Sequence, residues 1–596
     1  MPKSVTMRRV ILSIVFLIPA MLLAAQERTD LQNILAFLGA DSEEELDSYE
    51  VERLENYLSR PLQINHASSA RLISSGLMTQ YQVASLKDYI SKNGDILSFS
   101  ELAAVDGFDK DFVNKLAPFI SLLSYAAPGQ ASLTDRRIQH DFSVKGGYKY
   151  TVDESAKWQY ASKYRMSADR GPGLSLSLSK AYDASAMQLA SANLKWGFKR
   201  SDTKLILGNF NARFGQGLAM WNSMVMNGLP SVTSFSRRPS GVSETWSYTG
   251  SNALTGAALS LSSGRMVISA LTALPGIKKS RKEFGFLPAV NIAWYGKKGQ
   301  FSITDYAEFT GISSGNTRIP HMKTAADCRF CIRGVDLFSE VSYDWVNTST
   351  AFLAGSSFPV AEGLRTAALL RFYPSDYDSY MSAAPASSSK NSNEAGIAMS
   401  GEYTSEKHKA VLSLDAVTHP QPKSADMERT YQIKALLSWQ YILSENFHIS
   451  MRLSERYRNY ETLHHRTDLR LDLSYTSATY IINARVNTLK SDKYGFLSYV
   501  EGGMIKKSLS LYLRQGIFFI DDWDDRIYAY ERNAPGNFSV PAYYGRGLWT
   551  ALNLTWKYAR WGRLYAKASI MSYPFMQAEK KKPGKAELKL QGEFSF

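Results

Sequence analysis

The last eleven residues, Ala586-Glu587-Leu588-Lys589-Leu590-Gln591-Gly592-Glu593-Phe594-Ser595-Phe596, alternate apolar and polar side chains almost to the final atom. Leu588, Leu590, Phe594 and Phe596 share one parity; Glu587, Lys589, Gln591, Glu593 and Ser595 share the other. Successive side chains of a strand point to opposite faces, so this segment has one greasy face and one charged face. The pattern recurs far upstream. Leu174, Leu176 and Leu178 alternate with serines, Leu469, Leu471 and Leu473 with Arg470, Asp472 and Ser474, and Leu552, Leu554 and Trp556 with Asn553, Thr555 and Lys557. Alternating segments of about ten residues separated by turns are the signature of a transmembrane β-barrel. The expected fold is therefore mainly β, a large antiparallel barrel over residues 131–596 of about 20–24 strands, with 22 as the central count. Trp158, Trp294-Tyr295, Tyr457 and Tyr573 fall near strand ends, where an interfacial aromatic belt requires them.

The chain starts with Lys3, Arg8 and Arg9, an apolar stretch from Val10 to Leu23, and Ala24-Ala25. This is the layout of a secretory leader over residues 1–25, cleaved before Gln26. Its apolar run of about 14 residues is shorter than the roughly 20 a membrane helix needs. No later window is apolar enough for a spanning helix.

Charge is unevenly distributed. Residues 27–124 hold 16 acidic and eight basic residues, a net charge of about −8, while residues from 125 onward carry about +19. The inward parity of the barrel strands carries both signs, with Arg452, Arg456, Arg470, Asp472, Arg514, Glu587 and Lys589. Such a lumen suits internal ion pairing better than selection of one ion.

The acidic part reads as helical. Leu31, Ile34, Leu35 and Leu38 recur at helical spacing, and a second helix runs through Leu46, Val51, Leu54 and Leu58 to Pro61. These form a lead segment over residues 26–60. Over residues 61–124 follow two helix-turn-helix units, turning at Gly76-Leu77-Met78 and at Gly107-Phe108-Asp109-Lys110. With the Ile64-Asn65-x-Ala67 entry, the Tyr89-Ile90-x-x-Asn93-Gly94 link and Leu102-x-x-Val105-x-Gly107-Phe108, this module resembles the tandem helix-hairpin-helix of competence DNA receptors. The resemblance implies DNA contact through both turns. DNA-binding hairpins of that kind carry Gly-hydrophobic-Gly, so that backbone N–H groups can approach a phosphate. Here Met78 and Asp109 stand at the second glycine. Added side chains and acidic surroundings disfavour DNA, because Lys and Arg contacts to phosphates supply most non-specific affinity.

One barrel segment is irregular. Leu207-Gly208-Asn209-Phe210-Asn211-Ala212-Arg213-Phe214 starts as a strand, then turns glycine-rich at Gly215-Gln216-Gly217 and passes Trp221 without clear period to Arg237-Arg238-Pro239. Long connections of this kind are uncommon unless they serve a purpose. The helical head, this Gly-Gln-Gly-Leu segment and Phe538-Ser539-Val540-Pro541-Ala542-Tyr543-Tyr544-Gly545 together resemble a family of large Bacteroidota outer-membrane proteins with a periplasmic helix-hairpin-helix head. Gly208-Asn209-Phe210 stands where members often carry Gly-Asp-Tyr. The terminal Phe594 and Phe596 resemble the closing-strand signal read by outer-membrane insertion machinery.

Smaller motifs carry less. Cys328 and Cys331 form a CxxC pair that an oxidising envelope would permit as a disulfide, with two unpaired thiols as the alternative. Asp521-Asp522-Trp523-Asp524-Asp525 has the oxygen donors of a Ca²⁺ loop or of a solvated one. No zinc set, Ser/His/Asp group or carboxylate pair stands out, so no metal, cofactor or catalytic residue is expected. The sequence thus points to a non-enzymatic outer-membrane protein with a transport, envelope-assembly or docking role. Its expected partners are membrane lipid and a periplasmic or outer-membrane protein. A DNA receptor for uptake and a barrel enzyme are the alternatives.

Overall fold

The computed structural model describes residues 30–40, 42–124, 138–168, 171–198, 202–222, 231–248, 253–274, 285–296, 299–311, 317–506, 508–559, 561–576 and 582–596. The leader at residues 1–25 lies outside them. From Gln139–Thr151 to Lys585–Ser595 the chain forms a closed antiparallel barrel of 24 strands. A further short strand, Gly241–Glu244, pairs with the end of Asp202–Arg213. The count lies at the top of the expected range, above the central 22. Short strands such as Met266–Ala273 and Leu287–Tyr295 hold too few alternating positions to stand out in sequence.

Alternation sorts the two faces as anticipated. On the last strand Leu588 and Leu590 are 44% and 55% exposed on the outer face, whereas inward Gln591 is 5% exposed. Leu469, Leu471 and Leu473 are likewise exposed outward, and Trp158, Trp196, Trp294 and Trp561 stand exposed near strand ends. An apolar outer band with aromatic rims is consistent with embedding in an outer membrane. The rim that carries both ends of the barrel has tight connections. Arg318–Ile332 and Val335–Asp344 are joined by Arg333-Gly334 alone, both at positive φ (51° and 82°), the backbone a two-residue type I′ hairpin requires. The opposite rim carries the long connections, residues 374–393 and 521–544 among them.

The barrel closes by pairing Lys585–Ser595 with Gln139–Thr151 from Lys585↔Thr151 to Ser595↔Asp141. Closure leaves no strand edge, so every ladder position finds a partner inside the bilayer. Beyond the ladder, the His140 and Phe596 backbones exchange hydrogen bonds of 2.8 and 3.0 Å. Phe594 stacks on Phe142 and Trp561, and Phe596 on His140.

Among the described residues six helices precede the barrel: α1 (Asp30–Leu38), α2 (Ser48–Ser59), α3 (Ser69–Ser75), α4 (Gln80–Asn93), α5 (Phe99–Leu102) and α6 (Lys110–Leu116). Each start from α2 on has a side-chain cap: Asp47, Ser68, Thr79, Ser98 and Asp109 accept from the third residue beyond them. Their apolar faces meet in one core with Ile34, Leu54, Ile64, Leu72, Leu86, Val113 and Phe119. Buried Asn65 joins the two helical pairs, donating to Ile96 O (3.0 Å) and accepting from Ile96 N (2.9 Å). The core extends to Val267, Ala293 and Tyr295 of the barrel wall, so the head packs against the barrel instead of hanging free.

Deleting Phe594-Ser595-Phe596 removes the end of the closing ladder and its aromatic stack. The truncated chain is expected to show a much smaller heat-modifiable, folded fraction on semi-native gels. An unchanged folded fraction would show that the terminal residues do not help close the barrel.

Candidate functional site

The acidic stretch before α2 enters the lumen and meets the basic strands. Glu43–Glu45 form a single 3-10 turn. Glu44 lies between Arg470 (2.8 Å) and Arg485 (2.6 Å), and accepts from Tyr530 N (2.9 Å). Asp472 braces both arginines from the wall, at 2.5 and 2.6 Å. Glu45 pairs with Arg452, which also donates to Ser42 Oγ (2.6 Å). Farther along, α2 sends Glu50 to Arg213 (2.5 Å), Glu52 to Lys163 (2.5 Å), and Glu55 to Gly536 N (3.0 Å). After α2, Arg60 reaches Asp141 (2.9 Å) on the first strand; Asp141 also holds Arg165 (2.8 Å) and accepts from Ser595 Oγ (2.8 Å) on the last.

Burial alone would raise the Glu44 carboxyl, but Arg485, Arg470 and the Tyr530 N–H hold it well below the usual carboxylate range. Glu50 is likewise brought down to about 2 by Arg53 and Arg213 against the effect of burial. Glu55 behaves oppositely. Burial, with the Gly536 N–H in direct contact and Glu52 and Glu593 nearby, pushes it up to about 8.

The irregular segment builds the other side of the junction. Gly215 and Gly217 adopt φ of 58° and 92°. This aims the N–H groups of Gln216, Leu218 and Ala219 at the Glu340 carboxylate, at 2.6, 3.1 and 3.2 Å. A Cβ at Gly215 would lie 2.8 Å from Glu340 Oε2, and one at Gly217 3.2 Å from the Ala383 backbone. Glycine is needed there for close approach as well as for backbone freedom. Gln216 Oε1 accepts from Arg237 N (2.8 Å), and Trp221 N donates to Met381 O (2.6 Å). Arg213 lies over the Tyr49 ring at 4.7 Å, and Arg238 over Phe37 at 4.6 Å and Phe112 at 5.3 Å. Arg213, Gln216, Trp221, Arg237 and Arg238, picked from sequence as one stretch, therefore gather where barrel and head meet.

The hairpin turns lie elsewhere and face differently. Leu77 and Met78 are fully buried, and Arg53 donates to Ser75 O beside Gly76, where an added Cβ would strike its guanidinium. The first turn thus offers no backbone to a ligand in this arrangement, contrary to its proposed contact role. In the second, Gly107 (φ 86°) packs against Tyr81, Phe108 is buried, and Asp109 caps α6 and faces Arg365 at 3.4 Å. Lys110 is exposed.

Cys328 and Cys331 are free. The disulfide expectation fails for a geometric reason: both lie in Arg318–Ile332, where residues three apart face opposite sides. The aspartate loop is committed to protein partners: Asp521 pairs with Arg546, Asp522 with Lys493, and Asp525 accepts from Ser491 and Lys493 N–H groups. Among the described residues no group of three His, Cys, Asp or Glu could hold a metal ion. Sequence reading missed Glu340 and Tyr530, because nothing in a strand or loop taken alone says which distant backbone it will meet.

No protein-family model and no curated protein sequence matches the chain. Solved structures do. The P pilus usher PapC translocation pore is 11% identical over 77% of this chain and 99% of its own, with a TM-score of 0.39. An E. coli P pilus tip assembly intermediate, PapC-PapD-PapK-PapG, is 9% identical over 76% and 60%, with a TM-score of 0.45. The copper transporter OprC is 10% identical over 76% and 81%, with a TM-score of 0.39. At this level the likeness does not reach what those proteins carry or assemble.

Two predictions follow from the junction. Glu44→Gln leaves two buried arginines short of a partner and should destabilise the seated head by about 3–5 kcal/mol, read as faster limited proteolysis within residues 30–124. Proteolysis at the wild-type rate would refute this. The pH response separates the other carboxyls. Glu44 and Glu50, held below their ordinary value of 4.5, contribute stability that is full above it and fades as pH falls. Glu55, held above, contributes stability that is full below 4.5 and is lost as pH rises through about 8. Glu55→Gln should therefore raise the unfolding temperature at pH 8 and leave it little changed at pH 4; a loss of stability at pH 8 would contradict the assignment.

Proposed function

We propose that the protein is a non-enzymatic outer-membrane barrel whose lumen is closed from the periplasmic side by its own acidic head, and which passes or docks a substrate when that head moves. The tight turns and both barrel ends share one rim, the periplasmic one in barrels of this kind. The observation that carries the reading is the charged junction: Glu44, Glu45, Glu50 and Glu52 of the head each meet an inward Arg or Lys. Charges that leave such a pairing regain hydration, which recovers much of what their burial cost. An interface made this way can separate and re-form more readily than a continuous apolar one.

The head then has two tasks: to plug the lumen, and to present its outer face to a periplasmic partner that shifts it. The long loops of the far rim complete the closure, since Tyr530 and Gly536 from residues 521–544 contact Glu44 and Glu55 of the head.

Conductance of the full-length protein in planar bilayers tests this. The wild type should be nearly closed. The variant Glu44→Gln, Glu45→Gln, Glu50→Gln should show frequent large openings, because a barrel of this size encloses a wide lumen once unplugged. A stable large conductance from the wild type would defeat the plug reading. Binding of duplex DNA by the full chain with a steep salt slope would shift the reading to DNA uptake.

A further inference from the structure

Among the described residues the charges do not balance where α2 meets Arg213 and residues 231–238. Four guanidinium groups, Arg53, Arg213, Arg237 and Arg238, lie within electrostatic reach of the single Glu50 carboxylate. Asp47 also interacts with Arg213; it caps α2, and burial beside Glu50 raises it to about 6. Asp336 is engaged with Arg329, and Glu340 with three backbone N–H groups. Residues 223–230, which follow Trp221, include no acid. Burial holds Arg237 and Arg238 down to about 10 each, as expected for cations short of counter-charge.

Hydrogen bonding shows the same deficit. Arg213 Nε and Nη2, Gln216 Nε2, Trp221 Nε1 and Arg237 Nε have no partner among the described residues. Arg213, Gln216 and Trp221 are 3%, 0% and 6% exposed, so bulk water does not serve them. Every one of these atoms is a donor. A buried donor left unmatched costs about 1–3 kcal/mol, and an acceptor that is also negative would relieve both the donors and the positive charge around them. Water would meet the donors without offsetting the charge. Arg237 and Arg238 are half-buried, so part of their surface stays clear of protein atoms.

We propose that this junction is a binding site for a compact oxyanion of the phosphate, sulfate or carboxylate kind, held by Arg213, Gln216, Trp221 and Arg237 between the head and the irregular segment. A guanidinium presents a planar fork of N–H groups that matches an oxyanion, and Arg213 spends only Nη1 on Glu50. The bound anion offsets repulsion among the four arginines and ties α2 to Arg213 and Arg237. Through Arg213 and Arg237 it thereby strengthens seating of the head at a point that the pairs around Glu44 do not reach.

The test is a titration of sulfate, and separately of acetate, onto full-length protein in detergent at constant ionic strength balanced with chloride, read as unfolding temperature. Sulfate or acetate should give a saturable rise. Arg237→Met should weaken half-saturation roughly tenfold or more, the loss expected for a charge-assisted bond, whereas Lys557→Met at the exposed rim should leave it unchanged. A non-saturable response, or one that Arg237→Met does not alter, overturns the site. Should Arg237→Met fail to give the heat-modifiable folded form, wild-type crystals grown with selenate decide: anomalous density between Arg213 and Arg237 supports the site, and its absence there overturns it.

Discussion

Opposite charge on two parts of one chain organises this molecule. Closing 24 strands into a barrel solves the edge problem but leaves a wide interior lined by the inward parity of every strand. Those side chains cannot all pair with each other, because the part from residue 125 on is strongly basic and residues 27–124 are acidic. Bringing the head inside the wall meets both needs at once. Asp472 shows how the two levels mesh: it orients Arg470 and Arg485 from the wall so that both guanidinium groups face Glu44 of the head.

The pairs differ in kind, and the difference is physical. Glu44 and Glu50 sit among guanidinium groups and stay ionised despite burial, whereas Glu55 meets a backbone N–H and other carboxyls and favours its neutral form. Glu55 thus adds little charge to the junction and serves mainly as a hydrogen-bonding contact to the loop at Gly536. Apolar contact adds to the charged pairs where Val267, Ala293 and Tyr295 of the wall and Phe538 of the far loop join the core of the head.

The barrel was legible because period-two alternation is a local property: Leu469, Leu471 and Leu473 declare their face without reference to any other strand. The head's helices were legible for the same reason, through capping residues such as Thr79 and apolar spacing such as Leu31 to Leu38. What could not be read was any relation between segments. Charge counting separated an acidic part from a basic one, yet only the fold shows that one lies against the inner wall of the other. Met78 illustrates the limit. Its position in a turn suggested an obstacle to phosphate, but the turn is packed inside, so its role is in the core. Gly215 and Gly217 drew notice as an unusual pair, while the reason for them, Glu340, lies more than a hundred residues away.

Asp141 links two events that are separate in sequence. Its carboxylate is contacted by Ser595 of the last strand, Arg165 of the second and Arg60 at the end of α2. The hydroxyl arrives only when the barrel shuts, and the Arg60 guanidinium only when the head is in place. Each contact orients the acid for the other, so the two are thermodynamically linked. A barrel still open at its seam holds its head less firmly, and an empty barrel has a weaker seam. Closure of the barrel and occupation of its interior are on this account coupled through one carboxylate.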